Sequence, residues 1–104
     1  MKKLVRDRIP EIMRAAGKEA RFGIVRDDAY SKALINKMFE EVTEFYETPC
    51  IEEAADIYEV FLTFLKHWGL ELSDVRKFAQ YKSRERGKFD GGIILEEVVE
   101  KSID

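Results

Sequence analysis

The chain has one cysteine and one histidine, and no apolar run in its 104 residues is long enough for a membrane span or a secretory leader. The single thiol, Cys50, cannot close an intramolecular disulfide. Positive charge is not in excess either. Eighteen Lys and Arg against 21 Asp and Glu give a formal net charge of −3, which argues against a protein that gains its affinity by neutralising a nucleic-acid backbone. Nucleic-acid and membrane partners are therefore not expected, and the cytoplasm is the expected compartment. What is present, 45% hydrophobic and 38% charged residues, is the composition of a globular chain. One modest core fits this length and a second does not, so residues 1–104 are expected to form a single domain.

Punctuation along the chain marks the elements. RDRIPEIMRAAG, residues 6 to 17, reads as a turn and a short helix, with Pro10 in its first turn and Gly17 just past its end. Glu19 to Arg26, carrying Phe22, Ile24 and Val25, reads as extended. Asp27 and Asp28 are expected to cap a long helix to about Glu47, since neither Gly nor Pro interrupts it and Tyr30, Leu34, Met38 and Phe45 recur at helical spacing. Thr48 and Pro49 end it. A second long helix is predicted from Ile51 to Trp68, stopped by Gly69, and it should fold back on the first as an antiparallel hairpin. Ser73 is the expected cap of a further helix that stops at Gly87. The run Phe89 to Val99 could pair with the earlier extended stretch. The predicted fold class is mostly α: a helical hairpin plus a third helix, with at most a small β element.

The acidic residues of the hairpin carry the chemical interest. FEEVTEF at 39 to 45 and IEEAADIYEVF at 51 to 61 contain Glu41-x-x-Glu44 and Glu53-x-x-Asp56. At about 100° per residue, an i, i+3 pair faces one way. Glu44 and Glu53 lie at nearly equal distances before and after the turn, and Glu41 and Asp56 lie one turn further out. With axes about 8 to 10 Å apart, the two pairs can meet around one or two small cations. On a helical wheel Glu41 falls on the apolar stripe with Tyr30, Leu34 and Phe45. Glu53 falls between Val60 and Phe64, and Asp56 at the edge of that stripe. A solvated acidic face is the plain alternative. Against it, solvated glutamates prefer the polar side, and four carboxylates together repel one another without a compensating charge. An oxygen-only set of this kind suits Mg²⁺ or Mn²⁺.

Other reactive residues are discounted. His67 lies eleven positions after Asp56, roughly 16 Å along a helix at about 1.5 Å per residue, so a capping or surface role is expected of it. Cys50 has no second cysteine and no histidine close in sequence. Tyr58, Phe61, Phe64, Leu65 and Trp68 form an apolar arc too wide for one hairpin partner to cover. Two hairpins pairing into a four-helix bundle would cover it, so a homo-oligomer is expected.

These motifs resemble the all-α nucleoside triphosphate pyrophosphohydrolases, the MazG-like superfamily, whose signature is EExxE on one helix and ExxD on the next. Here the signature reads EEVTE at 40 to 44 and EAAD at 53 to 56. LVRDRIPEI at 4 to 12, KSRERGKF at 82 to 89 and the IILEEV that follows are similar to the small MazG-like proteins with an RDKIP start and a K-x-x-x-R-G-x-F end. The resemblance implies Mg²⁺ ligands at Glu41, Glu44, Glu53 and Asp56, with Mn²⁺ as a possible substitute. Glu40 matches the first acidic position. Since it points about 100° from Glu41 on the wheel, a water-orienting role behind the ligands is assigned to it. The implied reaction is hydrolysis of a nucleoside triphosphate to the monophosphate and pyrophosphate by attack of water on the α-phosphorus. Lys82 and Arg86, with Arg6, Arg8 and Lys37 behind them, are the candidate phosphate-binding cations. The resemblance also implies a homodimer or a dimer of dimers. The connection between the motifs is shorter than is usual in the family, which leaves little room for a specificity loop. Two alternatives stand beside this reading: phosphoribosyl-ATP pyrophosphohydrolase, which EEAADIY also resembles, and a helical interaction module that spends its acidic pairs on salt bridges.

Overall fold

A computed structural model describes residues 2–102. Four helices occur among these residues and no strand: α1 Ile9–Ala15, α2 Asp27–Glu47, α3 Ile51–His67 and α4 Leu72–Arg86. The fold is mostly α, as the patterning predicts. The small β element is not formed. Residues 18–26 and 93–102 have no regular secondary structure, and the side chains that would have made its buried face, Ile24 and Ile93 to Leu95, are exposed. Chain contacts divide the protein into two compact units, Met1–Leu72 and Ser73–Asp104.

In the first unit, α1 starts after Arg8 with Pro10 in its first turn, and the chain leaves it through Gly17 at φ +75°. Arg26, in extended conformation, supplies the carbonyl that accepts the first α2 hydrogen bond, from the Tyr30 amide at 3.2 Å. Asp27 and Asp28 therefore do not cap α2. They lie inside its first turn, where their charge complements the positive end of the helix dipole. Asp27 takes a left-handed φ of 51°, a conformation aspartate tolerates better than most residues.

Thr48 and Pro49 end α2 as predicted, and Cys50 is the extended residue before α3. Gly69, at φ +69°, closes α3: its amide bonds the Lys66 carbonyl at 3.2 Å, and the Leu70 amide bonds the Leu65 carbonyl at 2.8 Å. The connection of only three residues makes α2 and α3 antiparallel neighbours, packed along their lengths. Their shared core is narrow. Among the described residues the buried hydrophobic side chains are Leu34 on α2 and Val60 and Leu65 on α3.

The second unit holds most of α4 and the chain after it, which among the described residues has no helix or strand. Leu72 opens the helix, so Ser73 sits in its first turn and not at its cap. Phe78 and Tyr81 pack ring to ring at 5.7 Å, and no residue of α4 is buried.

Candidate metal centre

Glu41 is the most deeply buried charged residue described, at 5% exposure, on the face of α2 that also carries Leu34. The hairpin brings other carboxylates to it from both helices. Glu40, Glu41 and Glu44 form one group, and Glu41, Glu53 and Asp56 a second. Within each group one oxygen per residue lies within 4.8 Å of the others. Glu41 is common to both, so the four expected ligands and Glu40 make two overlapping triads and not one four-cornered site.

Glu40 is closer to the cluster than the wheel implies. A wheel reports the direction of Cβ, and a glutamate carboxylate lies far enough beyond Cβ to fold back toward its neighbour.

Three cations attend the cluster. Lys37, one turn before Glu41, donates to Glu41 Oε1 at 3.1 Å and reaches Glu40 Oε1 at 3.4 Å. Lys3, from the segment before α1, reaches Glu40 Oε1 at 3.4 Å. Arg6 Nη2 donates to Asp56 Oδ1 at 2.6 Å. Five carboxylates against these three cations leave two negative charges in excess. The excess falls on identifiable atoms: Glu41 Oε2 and Glu53 Oε2 are buried and have no hydrogen-bond partner. A buried carboxylate oxygen with no partner costs free energy unless a cation meets it.

The electrostatics follow the geometry. Burial raises the Glu41 carboxyl above its ordinary value, against the opposing hydrogen bond from Lys37, and the charges of Glu44 and Asp56 raise it further. Burial works to lower the Lys37 ammonium, but the hydrogen bond to Glu41 and the charges of Glu40 and Glu41 outweigh it and leave it raised. The hydrogen bond to Asp56 raises the Arg6 guanidinium.

A groove of about 760 Å³ runs from these carboxylates along the hairpin. Leu4 to Asp7, Lys37, Glu41 and Asp56 line one end, and Tyr30, Thr63, Lys66 and His67 the other. At that far end Ser31 Oγ and His67 Nε2 lie 2.7 Å apart, and the His67 ring packs edge-on against Tyr30 at 5.0 Å. His67 is thus a half-buried tie between the start of α2 and the end of α3, remote from the carboxylates and not the cap or surface group expected.

The remaining candidate cations have other surroundings. Arg8 is exposed and pairs with Glu11 at 2.5 Å. Lys82 and Arg86 are exposed on α4, with Lys82 Nζ 6.0 Å above the Phe78 ring.

The sequence reading missed Lys3 and took Lys37 for a phosphate ligand only. The i, i+3 and i, i+4 spacing of Lys37 to Glu40 and Glu41 was the available signal for the second. Nothing local connects Lys3 to a residue 37 positions away.

No family model matches the chain, and no solved structure matches it. A protein of Mycolicibacterium smegmatis described as uncharacterized is 50% identical over 44 residues, which are 42% of this chain and 45% of that protein. The alignment thus covers less than half of either protein.

Proposed function

We propose that the chain is a Mg²⁺-dependent nucleoside triphosphate pyrophosphohydrolase, with Glu41, Glu44, Glu53 and Asp56 as the ligand set and Glu40 orienting the attacking water. One observation carries the reading: Glu41 Oε2 and Glu53 Oε2, on facing helices, are buried without partners in a cluster two charges short of neutral. An all-oxygen donor set with that deficit fits a hard divalent cation. Mg²⁺ supplies Lewis-acid chemistry when bound, lowering the pKa of water and neutralising charge on phosphate oxygens.

The chain's own residues do the rest. Burial keeps the Glu41 carboxylate out of bulk water, and Lys37 holds one of its oxygens so that the other stays directed into the cluster. Arg6 and Lys37 line the groove as partners for the phosphates. The groove beyond them falls in the size range of small-molecule sites and offers room for a nucleoside.

The reading extends to a homodimer. Ile35, Phe39, Val42 and Tyr46 recur at helical spacing on α2 and are all exposed, Phe39 at 66%, and Tyr58 and Trp68 on α3 are exposed as well. A second hairpin laid on these faces would complete a four-helix bundle.

Pyrophosphate release from a panel of ordinary and modified triphosphates, with Mg²⁺ and with Mn²⁺, tests the activity. A phosphoribosyl-ATP arm separates the two hydrolase readings. Glu41→Gln or Glu53→Gln is expected to reduce release at least about 100-fold with the fold retained, a loss beyond that typical of residues behind the ligands. The interaction-module reading draws support from the Arg6–Asp56 and Lys37–Glu41 pairs, which already neutralise part of the cluster. It predicts no pyrophosphate from any substrate and no change in melting temperature with Mg²⁺.

A further inference from the structure

We propose that Arg6 is a latch on the carboxylate cluster: its guanidinium and a divalent cation draw on the same Asp56 carboxylate, so cation uptake and release of the segment 2–7 are one coupled event. The inference rests on the metal-binding reading above and adds a regulated step to it.

Asp56 shares a cation-sized space with Glu41 and Glu53, yet its Oδ1 is held by Arg6 at 2.6 Å across 50 residues of sequence. Arg6 belongs to a stretch without regular secondary structure that is tied to the hairpin at two points, Arg6 to Asp56 on α3 and Lys3 to Glu40 on α2. Between these ties Leu4 and Val5 are half-buried and line the groove beside Lys37 and Glu41. The segment that places a cation on the cluster therefore also covers part of the groove.

A dication and a guanidinium on one carboxylate repel, and even at water's dielectric constant close charges of this kind change an affinity about tenfold. Both ties, Arg6 to Asp56 and Lys3 to Glu40, are partly exposed at each end, and such pairs are weak enough for a dication to displace. Displacement has a use, since it frees a guanidinium lining the groove for a phosphate anion. Coupling of this kind is reciprocal, so whatever releases Arg6 also tightens the hold on the metal. The competing arrangement, in which Arg6 stays in place and orients Asp56 for the ion, gives the opposite sign: removing Arg6 would then weaken metal binding.

Mn²⁺ affinity of the full chain, read by electron paramagnetic resonance without nucleotide, decides the sign. Arg6→Gln is expected to bind Mn²⁺ about tenfold more tightly than wild type, and Arg6→Lys, which keeps the charge, close to wild type. Equal or weaker binding by Arg6→Gln, with Mn²⁺ bound by wild type, would overturn the latch and leave the hydrolase reading standing. No Mn²⁺ bound by any of the three would overturn both. A second readout does not depend on a variant. In ¹⁵N-arginine-labelled wild type, Mg²⁺ should move the Arg6 guanidinium resonances and leave those of Arg8, paired with Glu11, unmoved. Static Arg6 resonances at saturating Mg²⁺ would also overturn the proposal.

Discussion

Glu41 concentrates the physics of the site in one side chain. It sits on the apolar stripe because the rise and turn of α2 put it there, and burial then raises its carboxyl above the ordinary value of 4.5. The folded chain consequently holds that proton more tightly than the unfolded one. The stability the group contributes is fully present below pH 4.5 and is lost as pH rises through its raised folded value. Glu41→Gln removes this titration. Melting curves of wild type and Glu41→Gln, taken without divalent cations from pH 7 down to pH 4.5, should show wild type gaining on the variant as the pH falls. At pH 7 the two should melt within about 5 °C of each other, a difference on the order of 1 kcal/mol. Added Mg²⁺ should raise the melting temperature of wild type alone, since only a cation bound by the native state stabilises it. The burial of Glu41 could be read from the wheel. The attendance of Lys3 and Arg6 could not, because it depends on where a segment far away in sequence comes to rest.

At the scale of elements, α2 and α3 were legible almost to the residue, because uninterrupted helical periodicity bounded by Thr48-Pro49 and Gly69 leaves few alternatives. The start of α2 was not. Its first carbonyl comes from Arg26, and no side chain caps it, so the usual sequence signal for a helix start pointed to the wrong residues. The short-range signals for a strand pair likewise carried no weight, since strands need partners brought together by the whole fold. Two substitutions probe the hairpin. Leu34, at 1% exposure, packs at its centre, so Leu34→Ala should cost about 2 to 5 kcal/mol in denaturant unfolding. Ser31→Ala, which breaks the contact with His67, should cost about 1 kcal/mol and leave Mg²⁺ binding intact. Ser31 and His67 lie eighteen positions either side of Pro49. The hairpin register that brings the carboxylates together therefore also accounts for this tie.

At the scale of the whole molecule, the stripe of exposed Ile35, Phe39, Val42 and Tyr46 beside a narrow core is the surface that the proposed second copy would cover. Phe39→Glu should convert the proposed dimer to monomer in sedimentation velocity, because a charge facing its own copy across a twofold axis is repelled and desolvated at once. A wild-type chain that sediments as a monomer at micromolar concentration would remove the four-helix bundle from the account. No helix among the described residues is long and apolar enough to cross a membrane, in keeping with the absence of an apolar run in the sequence.

The sequence alone determined the two long helices, their antiparallel return and the facing acidic pairs, because these follow from local periodicity and the length of one turn. Only the tertiary structure decided that Glu41 joins two overlapping triads, that two of the carboxylate oxygens are buried without partners, and that Lys3 and Arg6 arrive from before α1 to neutralise part of the charge. Those outcomes depend on rotamers and on contacts across 37 to 50 residues, which no spacing rule encodes.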